Sequence, residues 1–325
     1  MPGRSHKAPG AALMTVLVLL LALPAHALGA SSKPTVSTGT VANVTPQSVT
    51  LIGKIRPNGA QTTYLFQYGP TTLYGSATPV AAAGNGTAAV TVTANISGLA
   101  PSTPYHFRLI AHNRNGTVDG SDRAFKTRAQ PLGLTLTAAP NPVPFGRPTV
   151  LSGTLTGTGA AGRQVALQSN PFPYTAGFTT ISNPQLTGTD GAFSFPLLSV
   201  PLNTQYRVLI PTRPEVASPI VGVSVAVRVS TNVSSTLVRT GHRVRFFGRV
   251  TPARPGALVG IQKQRGTRWV TVAGTITHSA GKSFSRYAKR IRIRRGGRYR
   301  VFVSIADGNF ASNTGRTVTI RRRGV

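Results

Sequence analysis

The chain of 325 residues carries 36 Lys and Arg against 5 Asp and Glu, a formal net charge of +31, and it contains no Cys. The lack of Cys rules out disulfide staples, thiol nucleophiles and thiolate zinc sites, and so few acids leave little material for paired-carboxylate catalysis. The positive excess points toward polyanions and is uneven, since residues 229–325 hold 21 of the Lys and Arg against a single acid, Asp307.

The chain opens with Arg4 and Lys7, continues through an apolar run from Ala11 to Leu23, and reaches Pro24 and the small-residue stretch Ala25-His26-Ala27. That order predicts a secretory signal peptide over residues 1–27. Its apolar core is short for a membrane span of about 20 residues, and retention as an anchor is the alternative. With no second apolar run and an Arg321-Arg322-Arg323 ending, the remainder is expected outside the membrane, secreted or held at the cell wall. Its length suits three domains of roughly 100 residues each, with ordinary cores instead of staples. After the signal segment, helical periodicity is missing. Val, Thr and Ile alternate in short runs broken by Gly, Pro and Asn, which predicts an all-β chain of serial antiparallel β-sandwiches.

The first domain is expected over residues 28–130. Strands are predicted at Ser48 to Ile55 and at Thr62 to Gly69, with Pro57-Asn58-Gly59 as the turn between them and Tyr64, Phe66 and Tyr68 on one face. Leu99-Ala100-Pro101-Ser102-Thr103-Pro104-Tyr105 leads into a later strand, with Asn115-Gly116 as a hairpin turn; this spacing predicts a tyrosine corner, in which Tyr105 returns its hydroxyl to nearby backbone. These residues resemble the fibronectin type III family in its bacterial form, over about 95 residues. The Trp that the family often carries on its second strand is absent, and Leu51 or Ile55 is expected in its place; no Arg-Gly-Asp loop occurs.

The second and third domains are expected at residues 131–228 and 229–325, with linkers at Ala129-Gln130-Pro131 and from Val227 to Thr231. They repeat each other at a spacing of about 94 residues. Ser152-Gly153-Thr154-Leu155 matches Phe247-Gly248-Arg249-Val250, Gly162 to Gln168 matches Gly256 to Gln262, and Gln205-Tyr206-Arg207-Val208 matches Arg298-Tyr299-Arg300-Val301. These segments resemble the immunoglobulin-like repeats of secreted bacterial proteins. Together the resemblances imply a fibronectin type III-like sandwich followed by two Ig-like ones after the signal peptide, and they imply architecture rather than activity.

No pattern for chemistry emerges. Asp119 and Asp122 flank Gly120 in a predicted loop and read as a solvated pair, with a weak cation site as the alternative; His106, His112, His242 and His278 are scattered without metal-ligand spacing. No catalytic residue, cofactor or metal is expected. The third domain is different. Alternation on Arg243-Val244-Arg245-Phe246-Phe247-Gly248-Arg249-Val250 sends Val244, Phe246 and Val250 inward and Arg243, Arg245, Phe247 and Arg249 outward. The same rule on Arg290-Ile291-Arg292-Ile293-Arg294 turns Arg290, Arg292 and Arg294 outward, and in an Ig-like order these strands are neighbours. The expected result is a six-arginine ladder for anionic cell-envelope polymers or other polyanions, on a non-enzymatic secreted scaffold or adhesion protein of bacterial type. A solvated face is the competing reading. Trp269, the single Trp, motivates the alternative of a carbohydrate-binding accessory module, with extracellular proteins or glycans as partners.

Overall fold

The computed structural model describes residue 3, residues 31–212 and residues 214–323; apart from Gly3, the predicted signal peptide lies outside the described residues. Every regular element among the described residues is a β-strand, and no helix is long and apolar enough to cross a membrane. Two compact units result, Met1–Thr127 and Arg128–Val325. The chain is all-β and builds serial antiparallel sandwiches, as the sequence predicts.

In the first unit, β1 (Thr35–Ala42), β2 (Ser48–Arg56) and β6 (Val90–Ser97) form one sheet. The other holds β3 (Thr62–Gly69), β4 (Ser76–Ala77), β5 (Ala81–Gly84), β7 (Pro104–Asn113), β8 (Gly116–Asp119) and β9 (Arg123–Lys126), centred on the β3–β7 pair. Alternation along β2 buries Val49, Leu51 and Ile55 against Phe66, Phe107 and Leu109 of the opposite sheet, so both candidates for the missing Trp are core. The β2–β3 turn works because Asn58 (φ 55°) and Gly59 (φ 75°) both accept left-handed backbone. The tyrosine corner is present: Ala100 N–H donates to the Tyr105 hydroxyl at 3.0 Å. The β7–β8 hairpin turns at Arg114 and Asn115, one residue earlier than predicted, with Gly116 opening β8 opposite Asn113.

The second unit begins with β10 (Gly133–Leu134), β11 (Thr137–Ala139), β12 (Val143–Pro144), β13 (Thr149–Thr156), β14 (Gln164–Pro171), β15 (Thr179–Thr180) and β16 (Gln185–Leu186). It continues with β17 (Ala192–Leu197), β18 (Thr204–Ile210), β19 (Val216–Ala217), β20 (Val221–Val223) and β21 (Val225–Ala226). One sheet centres on β13–β17, the other on β14–β18, and β12 pairs in parallel with β21. The last stretch runs through β22 (Arg228–Val229), β23 (Asn232–Val233), β24 (Leu237–Val238), β25 (Arg243–Thr251), β26 (Leu258–Arg265) and β27 (Arg268–Ile276). It ends with β28 (His278–Ser279), β29 (Ser285–Arg292), β30 (Gly297–Ser304), β31 (Asn313–Thr314) and β32 (Val318–Arg322). Here β25–β29 and β26–β30 are the central pairs, and β24 pairs in parallel with β32. The internal repeat is therefore structural. Its matched segments fall on β13 and β25, on β14 and β26, and on β18 and β30.

The two sandwiches of this unit share one continuous apolar core, from Leu134 to Ile320. The stretch from Val227 to Thr231, expected as a linker, instead contains fully buried Val227 and the strand β22. Ala311 N–H donates to Val225 C=O at 2.8 Å, Val227 N–H to Ala311 C=O at 3.1 Å, and Asn203 N–H to Asn309 C=O at 2.8 Å. Phe145 meets Phe310 edge-on at 5.7 Å. Backbone groups at the crossing are thus paired within the protein, as burial requires.

One device recurs in all three sandwiches. On facing strands, Arg108, Arg207 and Arg300 each donate through Nε to a Gln side chain: Gln67 at 2.9 Å, Gln168 at 2.8 Å and Gln262 at 2.8 Å. Each guanidinium also covers an aromatic ring, 4.9 Å from Tyr74, 4.6 Å from Phe178 and 4.4 Å from Trp269.

Candidate functional site

The third sandwich sets β25 antiparallel to β29, with Arg243 opposite Arg292, Arg245 opposite Arg290, Phe247 opposite Ala288 and Arg249 opposite Arg286. All six arginines are exposed, while Val244, Phe246 and Val250 are fully buried, so alternation predicts the orientation of β25 correctly. Arg294 departs from the expectation. The strand ends at Arg292, because Ile293 turns back to pair with the loop before β25: its N–H donates to His242 C=O at 2.9 Å and its C=O accepts from Gly241 N–H at 2.8 Å. Arg294 therefore lies beyond the face. Arg286 fills the sixth place, and running the alternation back from Arg290 through Ala288 would have found it.

Directly opposed like charges on a sheet destabilise by a few tenths of a kcal/mol or more per pair. The face does little internally to offset this. Ion pairs among the described residues are His106–Asp122, Arg108–Asp119, Arg207–Glu215 and Arg254–Asp307, and none involves the face. What the arginines have is aromatic: Arg245 lies 5.2 Å from the Phe247 ring, and Arg249 and Arg286 share Phe284 at 4.6 and 5.5 Å. A shallow depression of about 480 Å³ opens among Arg245, Phe247, Arg249, Arg286 and His278. Guanidinium forks around such a hollow present donors in the geometry that carboxylate and phosphate oxygens accept. Beneath it, Tyr287 is buried and donates its hydroxyl to Ser230 C=O at 2.7 Å; burial pushes its pKa up to about 12.

Trp269 is half-buried on β27, opposite Gln264, with one ring face covered by Arg300. It occupies the same place in the repeated Gln–Arg–aromatic device as Tyr74 and Phe178. The two loop acids have separate partners. Asp119 pairs with Arg108 at 2.8 Å, while Asp122 accepts from Tyr74 at 2.9 Å and lies 2.8 Å from His106 Nδ1. Partial burial works against the Asp122 charge, but the His106 and Tyr74 hydrogen bonds hold its carboxyl below the ordinary carboxylate value. Among the described residues no group of three His, Cys, Asp or Glu could hold a metal ion.

No family model matches the chain, and no curated protein matches it. Among solved structures, a tetra-tandem repeat from the extending region of a large adhesion protein is 18% identical, over 89% of this chain and 74% of that one, with a TM-score of 0.30. The FN1-FN3 domains of chicken CNTN1 are 16% identical over 90% of this chain and 100% of theirs, at 0.30. Domains A168-A170 of titin are 13% identical over 90% and 100%, at 0.38. At these scores, strand order and register carry the description of the fold.

Proposed function

We propose that this chain is a non-enzymatic extracellular scaffold or adhesion protein, exported by a bacterium, whose basic third sandwich holds it to anionic cell-envelope polymers. The observation that carries this reading is the register of β25 on β29, which opposes Arg243 to Arg292, Arg245 to Arg290 and Arg249 to Arg286 without an acid among their partners. A polyanion laid along that face neutralises the repulsion and releases its own counterions, so affinity falls steeply with salt. The carbohydrate-module alternative draws no support from Trp269, whose exposed-platform role is blocked on one side by Arg300.

The test is co-sedimentation of the full chain with isolated bacterial envelopes across a salt series. Retention is expected to fall with a log–log slope of roughly −0.7 to −0.9 for each phosphate-like charge neutralised. A variant carrying Arg245→Ser, Arg249→Ser, Arg286→Ser and Arg290→Ser should lose most of that slope. Retention that ignores both salt and these substitutions overturns the proposal.

A further inference from the structure

Beside the arginine face, between β27 and β29, lies a second cleft of about 720 Å³ with a different construction, which shares Arg290 and Arg292 with the face. Seven of its eleven lining residues are Lys or Arg, and none is acidic. The acid of this sandwich, Asp307, pairs with Arg254 at 3.0 Å, outside that lining. Arg294, displaced from the face, lines this cleft together with Arg265 and Arg295.

The central residue is Lys263. Along β26, Val259 and Ile261 point into the core, and Lys263 follows them in register, opposite buried Tyr299 on β30. Its ammonium donates to Arg295 C=O at 2.9 Å and lies 5.4 Å from the Tyr299 ring centre, while the Tyr299 hydroxyl donates to the same carbonyl at 3.2 Å. One of the three N–H donors of an ammonium is thereby satisfied. Burial, then the neighbouring Arg265 and Arg295, push the Lys263 pKa below its ordinary value.

The fold does not demand a cation there. The position after the repeated Gln is Tyr68 in the first sandwich, opposite Phe107, and buried Ser169 in the second, opposite Tyr206. An inward lysine with cationic neighbours and no acid destabilises the free protein, which is the expected mark of a site built for a ligand of opposite charge. The volume falls within the usual range for ligand clefts of about 300–1,000 Å³, larger than a lone oxyanion fills. Arginine forks with a lysine point charge suit phosphoryl oxygens, and seven cations call for several negative charges close together.

From this geometry we infer that the cleft between β27 and β29, centred on Lys263, is a binding site for a chain of closely spaced phosphate groups. The inference rests on the polyanion reading of the third sandwich and narrows its ligand chemistry. Two sources share that chemistry, a phosphodiester polymer of the envelope and a soluble phosphoanhydride chain.

The experiment is calorimetric titration of the full chain with inorganic tripolyphosphate at low salt. Saturable single-site binding is expected, with affinity reduced about tenfold or more by Lys263→Met. The same substitution should raise Tm, because it removes an uncompensated charge while keeping side-chain volume. The double variant Arg294→Ser, Arg295→Ser changes exposed side chains and should weaken binding in the same direction; a face variant confined to Arg245→Ser, Arg249→Ser and Arg286→Ser, none of which lines the cleft, should leave it in place. A poly(glycerol phosphate) oligomer that displaces tripolyphosphate supports the envelope source, and one that fails to displace it supports the soluble chain. Binding unaffected by Lys263→Met and by the double variant overturns the site, as does polygalacturonate competing equally well at matched charge. Envelope retention without tripolyphosphate binding removes the cleft and leaves the face standing. Tripolyphosphate binding without envelope retention does the reverse.

Discussion

The second and third sandwiches put very different chemistry on equivalent sheets. Where β13 meets β17, the outward pairs are Val150 with Pro196, Ser152 with Ser194 and Thr154 with Ala192. The corresponding pairs of β25 and β29 are Arg245 with Arg290, Phe247 with Ala288 and Arg249 with Arg286. Inside, the two remain alike, with Leu151 and Leu155 matched by Phe246 and Val250, all fully buried or nearly so. The repeated arginine makes the same point: Arg207 has Glu215 within 3.7 Å, whereas no ion pair among the described residues reaches Arg300. The fold is indifferent to the surface charge, so the arginines call for an explanation outside folding.

The comparison fails first if the two sandwiches are independent. Because they share one core, Phe246→Ala should remove about 3–5 kcal/mol and melt residues 128–325 in one cooperative step, with the first unit melting separately. Differential scanning calorimetry showing that the second sandwich keeps its Tm would break that view. A medium-sized effect comes from Tyr287, which stands opposite Gly248 where the second sandwich has Phe193 opposite Gly153. Its folded pKa of about 12 lies above the ordinary tyrosine value of 10.0, so its stabilising contribution is full below pH 10 and lost as pH rises toward 12. That loss is on the order of 2–3 kcal/mol, and Tyr287→Phe should flatten the alkaline limb at the expense of ~1 kcal/mol at neutral pH for the hydrogen bond to Ser230. A chemical-denaturation series across that range reads both. The smallest effect concerns the face itself. Exchanging Arg249 and Arg286 for their second-sandwich counterparts, as Arg249→Thr with Arg286→Ala, should add a few tenths of a kcal/mol at low salt and nothing at high salt. A stability loss at low salt would mean the arginines hold the sheet together.

Much of the architecture was legible because it rests on short-range rules. Alternation orients β2 and β25, and the Leu99 to Tyr105 spacing predicts the corner that Ala100 and Tyr105 close. The repeat at Gln168 and Gln262 predicts equivalent strands. What escaped depends on where strands stop and on contacts distant in sequence. Arg294 leaves the face because Ile293 bonds to His242, fifty-one residues earlier, and the buried crossing at Val227 needs Asn203 to meet Asn309. Lys263 was readable in principle, since Val259 and Ile261 set the phase. A charged residue at an inward position contradicts the rule that assigns the phase, so pattern alone discards it.

The parallel pairs of the second unit carry a mechanical consequence. In the second sandwich, β12 lies beside β21, with Val143 N–H on Ser224 C=O at 2.8 Å and Phe145 N–H on Ala226 C=O at 2.9 Å. In the third, β24 lies beside β32, with Arg321 N–H on Thr236 C=O at 2.7 Å and Arg323 N–H on Val238 C=O at 2.9 Å. Tension along the chain drags the two strands of each pair in opposite directions along their own axes. The rungs are then loaded together in shear instead of being peeled open one at a time, so each sandwich resists extension until its clamp gives way as a whole.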